Sequence, residues 1–181
     1  TEEFMVDLEK VADIGVFGGS ELHSFLDHID HIKIETPYGM PSDKISIGDY
    51  NGKRIAFLAI HGRDHRLMPH GINYRANVWA LKSLGVKFII SPTPAGSLQK
   101  SIAPGDFVVV DQFFDRTKNR QDTFYNGPIA THILAREPYC EYLRQIAINV
   151  IRDLDLTVHN EGTVVVIQGP RLSTKAESQF F

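Results

Sequence analysis

The sequence predicts an α/β layered fold, and three observations carry that expectation. Strand-like apolar runs and helix-like stripes alternate along the whole chain. Residues 57–98, FLAIHGRDHRLMPHGINYRANVWALKSLGVKFIISPTPAGSL, read as strand, polar loop, helix, strand, loop, which is a βαβ crossover. Polar loops rich in glycine, proline and hydroxyl groups follow the apolar runs, the place where open α/β sheets bind ligands.

Each element follows in order. Residues 1–10 are a charged lead-in. Ala12-Asp13-Ile14-Gly15-Val16-Phe17 predicts a buried strand, and Gly18-Gly19-Ser20 follows it, ahead of a helix opening over 21–26. Residues 28–35 alternate polar and apolar (Ile29, Ile32, Ile34), as a half-exposed strand does. Residues 36–43 are a loop by their proline and glycine content. Ile45 and Ile47, then Ile55, Phe57 and Leu58, predict a hairpin turned by Asp49-Tyr50-Asn51-Gly52. Within the crossover, Ala76, Val78, Trp79, Ala80 and Leu84 form the helix stripe, Gly85 suits its C-terminus, and Phe88-Ile89-Ile90 is a short buried strand. Phe107-Val108-Val109-Val110 is another buried strand, and residues 111–128 read as a long surface loop. Residues 139–154 are the clearest helix, with Leu143, Ile146, Ala147, Val150, Ile151 and Leu154 on one face. Strands over 156–159 and 163–167 lead to Gln168-Gly169-Pro170-Arg171-Leu172, and residues 175–181 begin a helix. No repeat or linker interrupts the pattern, so residues 1–181 are expected to form one domain.

Bulk properties narrow the function. A chain of 181 residues, 43% hydrophobic, is long enough to bury about 70% of its unfolded surface. A net charge of −3 with scattered basic residues gives no reason to expect a nucleic-acid or membrane partner. No apolar run approaches the roughly 18 residues of a membrane span, and no signal-peptide pattern opens the chain. The lone Cys140 excludes an intrachain disulfide framework and fits a reducing cytoplasm.

His61 and His65 are four residues apart, but Gly62 and Arg63 disfavour a helix there and no third ligand follows at usable spacing, so no metal is expected. No Gly-x-Ser-x-Gly elbow occurs. Three loops offer more together than apart: Gly-Gly-Ser, His-Gly-Arg and Thr-Pro-Ala-Gly-Ser, each after a strand. If they converge at one sheet edge, their backbone donors, hydroxyls, imidazole and guanidinium suit an oxyanion such as phosphate. The alternative is three unrelated polar turns. The residues alone leave both readings standing.

The same residues carry a resemblance. Gly18-Gly19-Ser20, Thr36-Pro37-Tyr38-Gly39 with Pro41-Ser42-Asp43, His61-Gly62-Arg63 with His65, Asn73-Tyr74-Arg75-Ala76-Asn77, Ala95-Gly96-Ser97-Leu98, Gly105-Asp106-Phe107, Asp111-Gln112-Phe113, Glu137-Pro138-Tyr139-Cys140 and Gly169-Pro170-Arg171 run collinearly over nearly the whole chain. In this the chain resembles the purine nucleoside phosphorylase superfamily, and within it the 5′-methylthioadenosine phosphorylase branch. The resemblance implies a three-layer α/β/α fold around a mixed, partly barrel-like sheet, assembled as a homotrimer or hexamer. It implies phosphorolysis of 5′-methylthioadenosine or a related purine nucleoside to free purine and (5-methylthio)ribose 1-phosphate. Phosphate is then a co-substrate, and no cofactor is required. By resemblance Ser20, His61 and Thr93 match phosphate-binding positions, while His65, His132 and Leu172 match substrate-binding positions. Four residues depart from the family. Ile60 stands where the family has arginine, Pro94 offers no N–H to an anion, Leu172 replaces phenylalanine, and Gln168 replaces glutamate. The family also continues past residue 181. These departures keep a second expectation open, a catalytically impaired homologue that acts by binding or assembly.

Overall fold

The structure, a computed structural model, describes residues 11–19 and 26–181. The expected helix over 21–26 therefore lies almost wholly outside the described residues. The chain packs as two compact units. One holds the described residues up to Pro94 together with Gln121–Phe124, and the other holds Ala95–Arg120 with Tyr125–Phe181.

The first unit is a mixed sheet of β1 (Ile14–Gly18), β2 (Asp27–Ile32), β3 (Ile45–Tyr50), β4 (Lys53–Ala59) and β5 (Phe88–Ile90), in the order β2-β3-β4-β1-β5. Asn51 and Gly52 both take left-handed φ, 46° and 73°, as the Asn-Gly pair predicts, and join β3 to β4 as an antiparallel hairpin. β1 then runs parallel to β4 on one side and β5 on the other. Helix α1 (Tyr74–Ser83) supplies the crossover between β4 and β5. Asn73 caps it, its side-chain oxygen accepting the Ala76 N–H at 3.2 Å. Gly85 ends it at φ 80°.

Ile45, Ile47, Ala56 and Leu58 of the sheet pack with Ala80, Leu81 and Leu84 as a fully buried core. Gly15 permits that approach, since a Cβ there would meet the Leu81 and Val86 side chains at 2.8 and 3.0 Å. Two details differ from the expected pattern. Val78 faces outward and Asn77 faces in, because Asn77 has buried polar partners. Phe88, Ile89 and Ile90 are exposed rather than buried, since β5 is the last strand of its sheet.

The second unit contains two parallel ladders. β6 (Phe107–Val108) pairs with β8 (Val158–His159), and β7 (Gln112–Arg116) pairs with β9 (Thr163–Ile167). The expected long loop over 111–128 is thus corrected: its first third is a strand. Gln-Phe-Phe-Asp-Arg has no alternation of its own, and its pairing with Thr-Val-Val-Val-Ile imposes the extended state. Helix α2 (Glu141–Asp153) forms where expected, but its inward face is rotated. Ile148 is the buried residue, 2% exposed, whereas Ile146, Val150 and Leu154 are exposed. Arg144 lies on the inward face. Its guanidinium donates to the carbonyls of Val110 at 3.0 Å and Asn160 at 2.5 Å, on the same side as Ile148. Helix α3 (Lys175–Phe180) closes the described chain. No helix among the described residues is long and apolar enough to cross a membrane.

Candidate active site

Three parallel strand ends frame the site. Gly18 of β1 is registered on Ala59 of β4, and Val16 of β1 on Ile90 of β5. The Gly18-Gly19 turn, the Ile60-His61 loop and the Ser91-Pro92-Thr93 loop therefore leave one edge of the sheet from neighbouring strands. This is the convergence that the residues left open, and it favours the ligand reading over three unrelated turns. Of the expected phosphate residues, His61 follows β4 and Thr93 follows β5, the two strands that flank β1, and Ser20 lies outside the described residues.

The loop after β4 is tightly held. His61 Nδ1 lies 3.0 Å from the Leu67 carbonyl. A carbonyl only accepts, so Nδ1 carries the proton and Nε2 is the nitrogen left for a ligand. The Leu67 N–H donates back to the His61 carbonyl at 2.9 Å. Between these anchors the backbone is strained, with positive φ at Gly62 (72°), Asp64 (61°) and His65 (52°). Glycine is required at position 62, because a Cβ would sit 3.2 Å from the Ser42 carbonyl and 3.0 Å from Arg66 Nε. The His61 and His65 rings stack at 6.0 Å between centroids.

Asp43 fastens the loop from outside it. Its Oδ2 accepts the Arg63 N–H at 2.5 Å and lies 3.8 Å from the Arg66 guanidinium, while Oδ1 accepts the Lys44 N–H at 2.8 Å. Burial pushes the Asp43 carboxyl up, but the Arg63 and Lys44 N–H groups and the charges of Arg66 and Arg63 outweigh burial and hold it below the usual carboxylate range. Arg66 also donates to the Ser42 carbonyl at 3.3 Å. Ser42 in turn is tied to α1: Asn77 Oδ1 accepts the Ser42 N–H at 2.8 Å, and Asn77 Nδ2 donates to Ser42 Oγ at 2.9 Å, all buried. Sequence reasoning gave Asp43 and Asn77 no role. The available signal was a polar residue at position 77 beside the apolar stripe of a core helix.

The remaining expected residues are placed as follows. Ile60 is half-buried between β4 and His61. Thr93 and Pro94 are exposed, with Thr93 Oγ1 donating to the Pro94 carbonyl at 3.4 Å. His132 and Leu172 belong to the second unit and are exposed, Leu172 at 81%. Gln168 Oε1 accepts from the Lys118 N–H at 2.9 Å and Arg120 Nε at 3.0 Å, so it anchors the turn after β7. Beside Leu172, Arg171 grips Glu177 with two bonds of 2.7 Å. Those bonds, with the Thr174 N–H, pull the Glu177 carboxyl down to about 2 and complete the capping box of α3. Among the described residues, no group of three or more His, Cys, Asp or Glu side chains is placed to hold a metal ion.

Comparison with known proteins agrees with this geometry. The sequence profile of the phosphorylase superfamily matches residues 13–181. The chain is 48% identical to the S-methyl-5′-thioadenosine phosphorylase of Saccharolobus solfataricus, over 97% of this chain and 66% of that protein. It superimposes with a TM-score of 0.91 on a methylthioadenosine phosphorylase from an Antarctic soil metagenomic library, at 42% identity, covering 95% of this chain and 62% of that one. It also superimposes with a TM-score of 0.87 on the Schistosoma mansoni methylthioadenosine phosphorylase in complex with adenine, at 36% identity, covering 93% of this chain and 69% of that one. The chain spans about two thirds of the length of the curated relatives it matches. Its α/β framework, with a mixed sheet and helices, is the nucleoside phosphorylase fold. The chain belongs to the phosphorylase superfamily, and its likeness there is to the S-methyl-5′-thioadenosine phosphorylases.

Proposed function

We propose that this chain forms the phosphate- and nucleoside-binding part of an enzyme that phosphorolyses 5′-methylthioadenosine or a related purine nucleoside. The observation that carries the reading is the convergence of the Gly18-Gly19, His61 and Thr93 loops on one sheet edge. It is supported by relatives named for that reaction and by a structural neighbour holding adenine. Residues 1–181 are read as one phosphorylase domain, in keeping with a single profile match that runs over both units.

In this reading phosphate is the co-substrate and no cofactor takes part. A phosphate oxygen forms a bond to the anomeric carbon as the bond to the purine nitrogen breaks, and the purine leaves with that electron pair and takes up a proton. Ser20, His61 and Thr93 hold the phosphate, with His61 offering Nε2. Held under the sugar, the anion stabilises the positive charge that grows on the ring in the transition state. His65 and His132 line the 5′-alkylthio end, and Leu172 packs on the substrate. The chain is expected to work as a homotrimer or hexamer in the cytoplasm, a compartment that suits the exposed, unpaired thiol of Cys140.

The test is release of adenine from methylthioadenosine by the complete gene product, with and without phosphate. Release that depends on phosphate is the expected result. No release, or release at the same rate without phosphate, would overturn the assignment.

A further inference from the structure

We infer that Asp43 is a positioning residue for phosphate, acting through the His61 loop; the inference rests on the phosphorylase reading above. Residues 62–65 hold three positive φ angles, two of them on non-glycine residues, Asp64 and His65. Such a backbone persists only where its surroundings over-determine it. Inside the loop, among the described residues, the ties are the His61–Leu67 pair of bonds and the Gly62 carbonyl accepting the His65 N–H at 3.3 Å. From outside, Asp43 holds the Arg63 N–H at 2.5 Å, two residues from His61, and engages Arg66 at 3.8 Å, beside the Arg66 bond to the Ser42 carbonyl and the Gly62 N–H bond to the Ala59 carbonyl.

Asp43 is itself fixed from the rigid side of the unit. Its neighbour Ser42 is locked to the core helix α1 through two buried bonds to Asn77. A continuous chain of bonds thus runs from α1 through Ser42 and Asp43 to the backbone beside His61. Asp43 touches no reacting atom. It sets where the imidazole stands, and a displacement of about 1 Å in a binding group lowers efficiency by up to a hundredfold. Its charge has a second effect: it engages the Arg66 guanidinium, so Arg66 is not a free phosphate ligand.

The test compares Asp43→Ala and Asp43→Asn with the native enzyme. Asp43→Ala is expected to raise the phosphate KM about tenfold or more while the methylthioadenosine KM moves less than twofold. Asp43→Asn keeps an acceptor for the Arg63 N–H and is expected to recover most of that loss. Hydrogen exchange of the Arg63 and Leu67 amides is read in parallel and needs no activity; it is expected to accelerate at least tenfold in Asp43→Ala, with α1 amides unchanged. An equal rise in both KM values, or unchanged exchange at Arg63 and Leu67, overturns the inference. If Asp43→Ala does not fold, Asp43→Ser, one bond shorter and out of reach of the Arg63 N–H, carries the test with the same readouts, and a native phosphate KM with native Arg63 exchange then overturns the inference. A native enzyme without phosphorolysis sinks the functional reading instead, and the exchange result still decides whether Asp43 holds the loop.

Discussion

A phosphate held at the β1–β4–β5 edge needs positive charge within reach, and the residue before His61 is an isoleucine. Two cations sit on the same loop, but they are not equivalent. Arg66 is engaged by Asp43 and by the Ser42 carbonyl. The Arg63 guanidinium makes no hydrogen bond or close ion pair among the described residues, acting on Asp43 only through its charge, and it lines a depression of about 290 Å³ with Asp43, Lys44, Asp64 and Arg66. Arg63→Ala leaves its backbone N–H on Asp43 and removes only the charge, so it is expected to raise the phosphate KM. Ile60→Arg adds a charge-assisted contact of about 1.5–3 kcal/mol and is expected to lower that KM by roughly ten- to a hundredfold. Steady-state kinetics over a phosphate series reads both. If neither variant changes the phosphate dependence, the anion takes its charge from another part of the protein and Arg63 has no part in binding it.

At the scale of elements, the run Asn73-Tyr74-Arg75-Ala76-Asn77 is tied to its surroundings by several side-chain bonds. Asn73 caps α1 and donates to the Tyr38 carbonyl at 2.7 Å. Tyr74 donates to the Pro69 carbonyl at 2.8 Å. Arg75 lies 4.9 Å over the Tyr38 ring and donates to the Thr123 carbonyl at 3.1 Å. Replacing Asn77 by leucine strands the buried Ser42 N–H and hydroxyl, at a cost of about 1–3 kcal/mol for each group. Calorimetry is expected to show the midpoint roughly 5–10 °C lower; a shift under 2 °C would mean that water replaces Asn77. Local signals explain what was legible here. Asn51-Gly52 announces its hairpin, and the apolar stripe announces α1. β7 was hidden because its strand state comes from β9, some fifty residues later in the chain. The inward face of α2 was misjudged because an arginine, Arg144, occupies it and bonds to loop carbonyls that periodicity does not show. The three site loops were visible as residues. Their meeting depends on sheet order, which no local pattern encodes.

On the scale of the whole molecule, the described chain is two compact units that together match about two thirds of the length of its curated relatives. The mixed sheet ends at β5, whose outer side pairs with no strand among the described residues. Phe88, Ile89 and Ile90 are 40%, 38% and 48% exposed there. They carry no charge, proline or bulge, which leaves the three-residue length of β5 as its protection against pairing with another chain. We expect this short Phe-Ile-Ile edge to accept a further strand. Made alone and warmed, the 181-residue chain is expected to grow light-scattering, dye-binding aggregates through this edge, and Phe88→Lys is expected to delay them several-fold. Equal lag times for the two chains would place the sticky surface elsewhere. The strand that leads to Thr93 thus carries an exposed apolar edge beside the candidate site, and a substitution that quiets the edge has to be checked for its effect on the site.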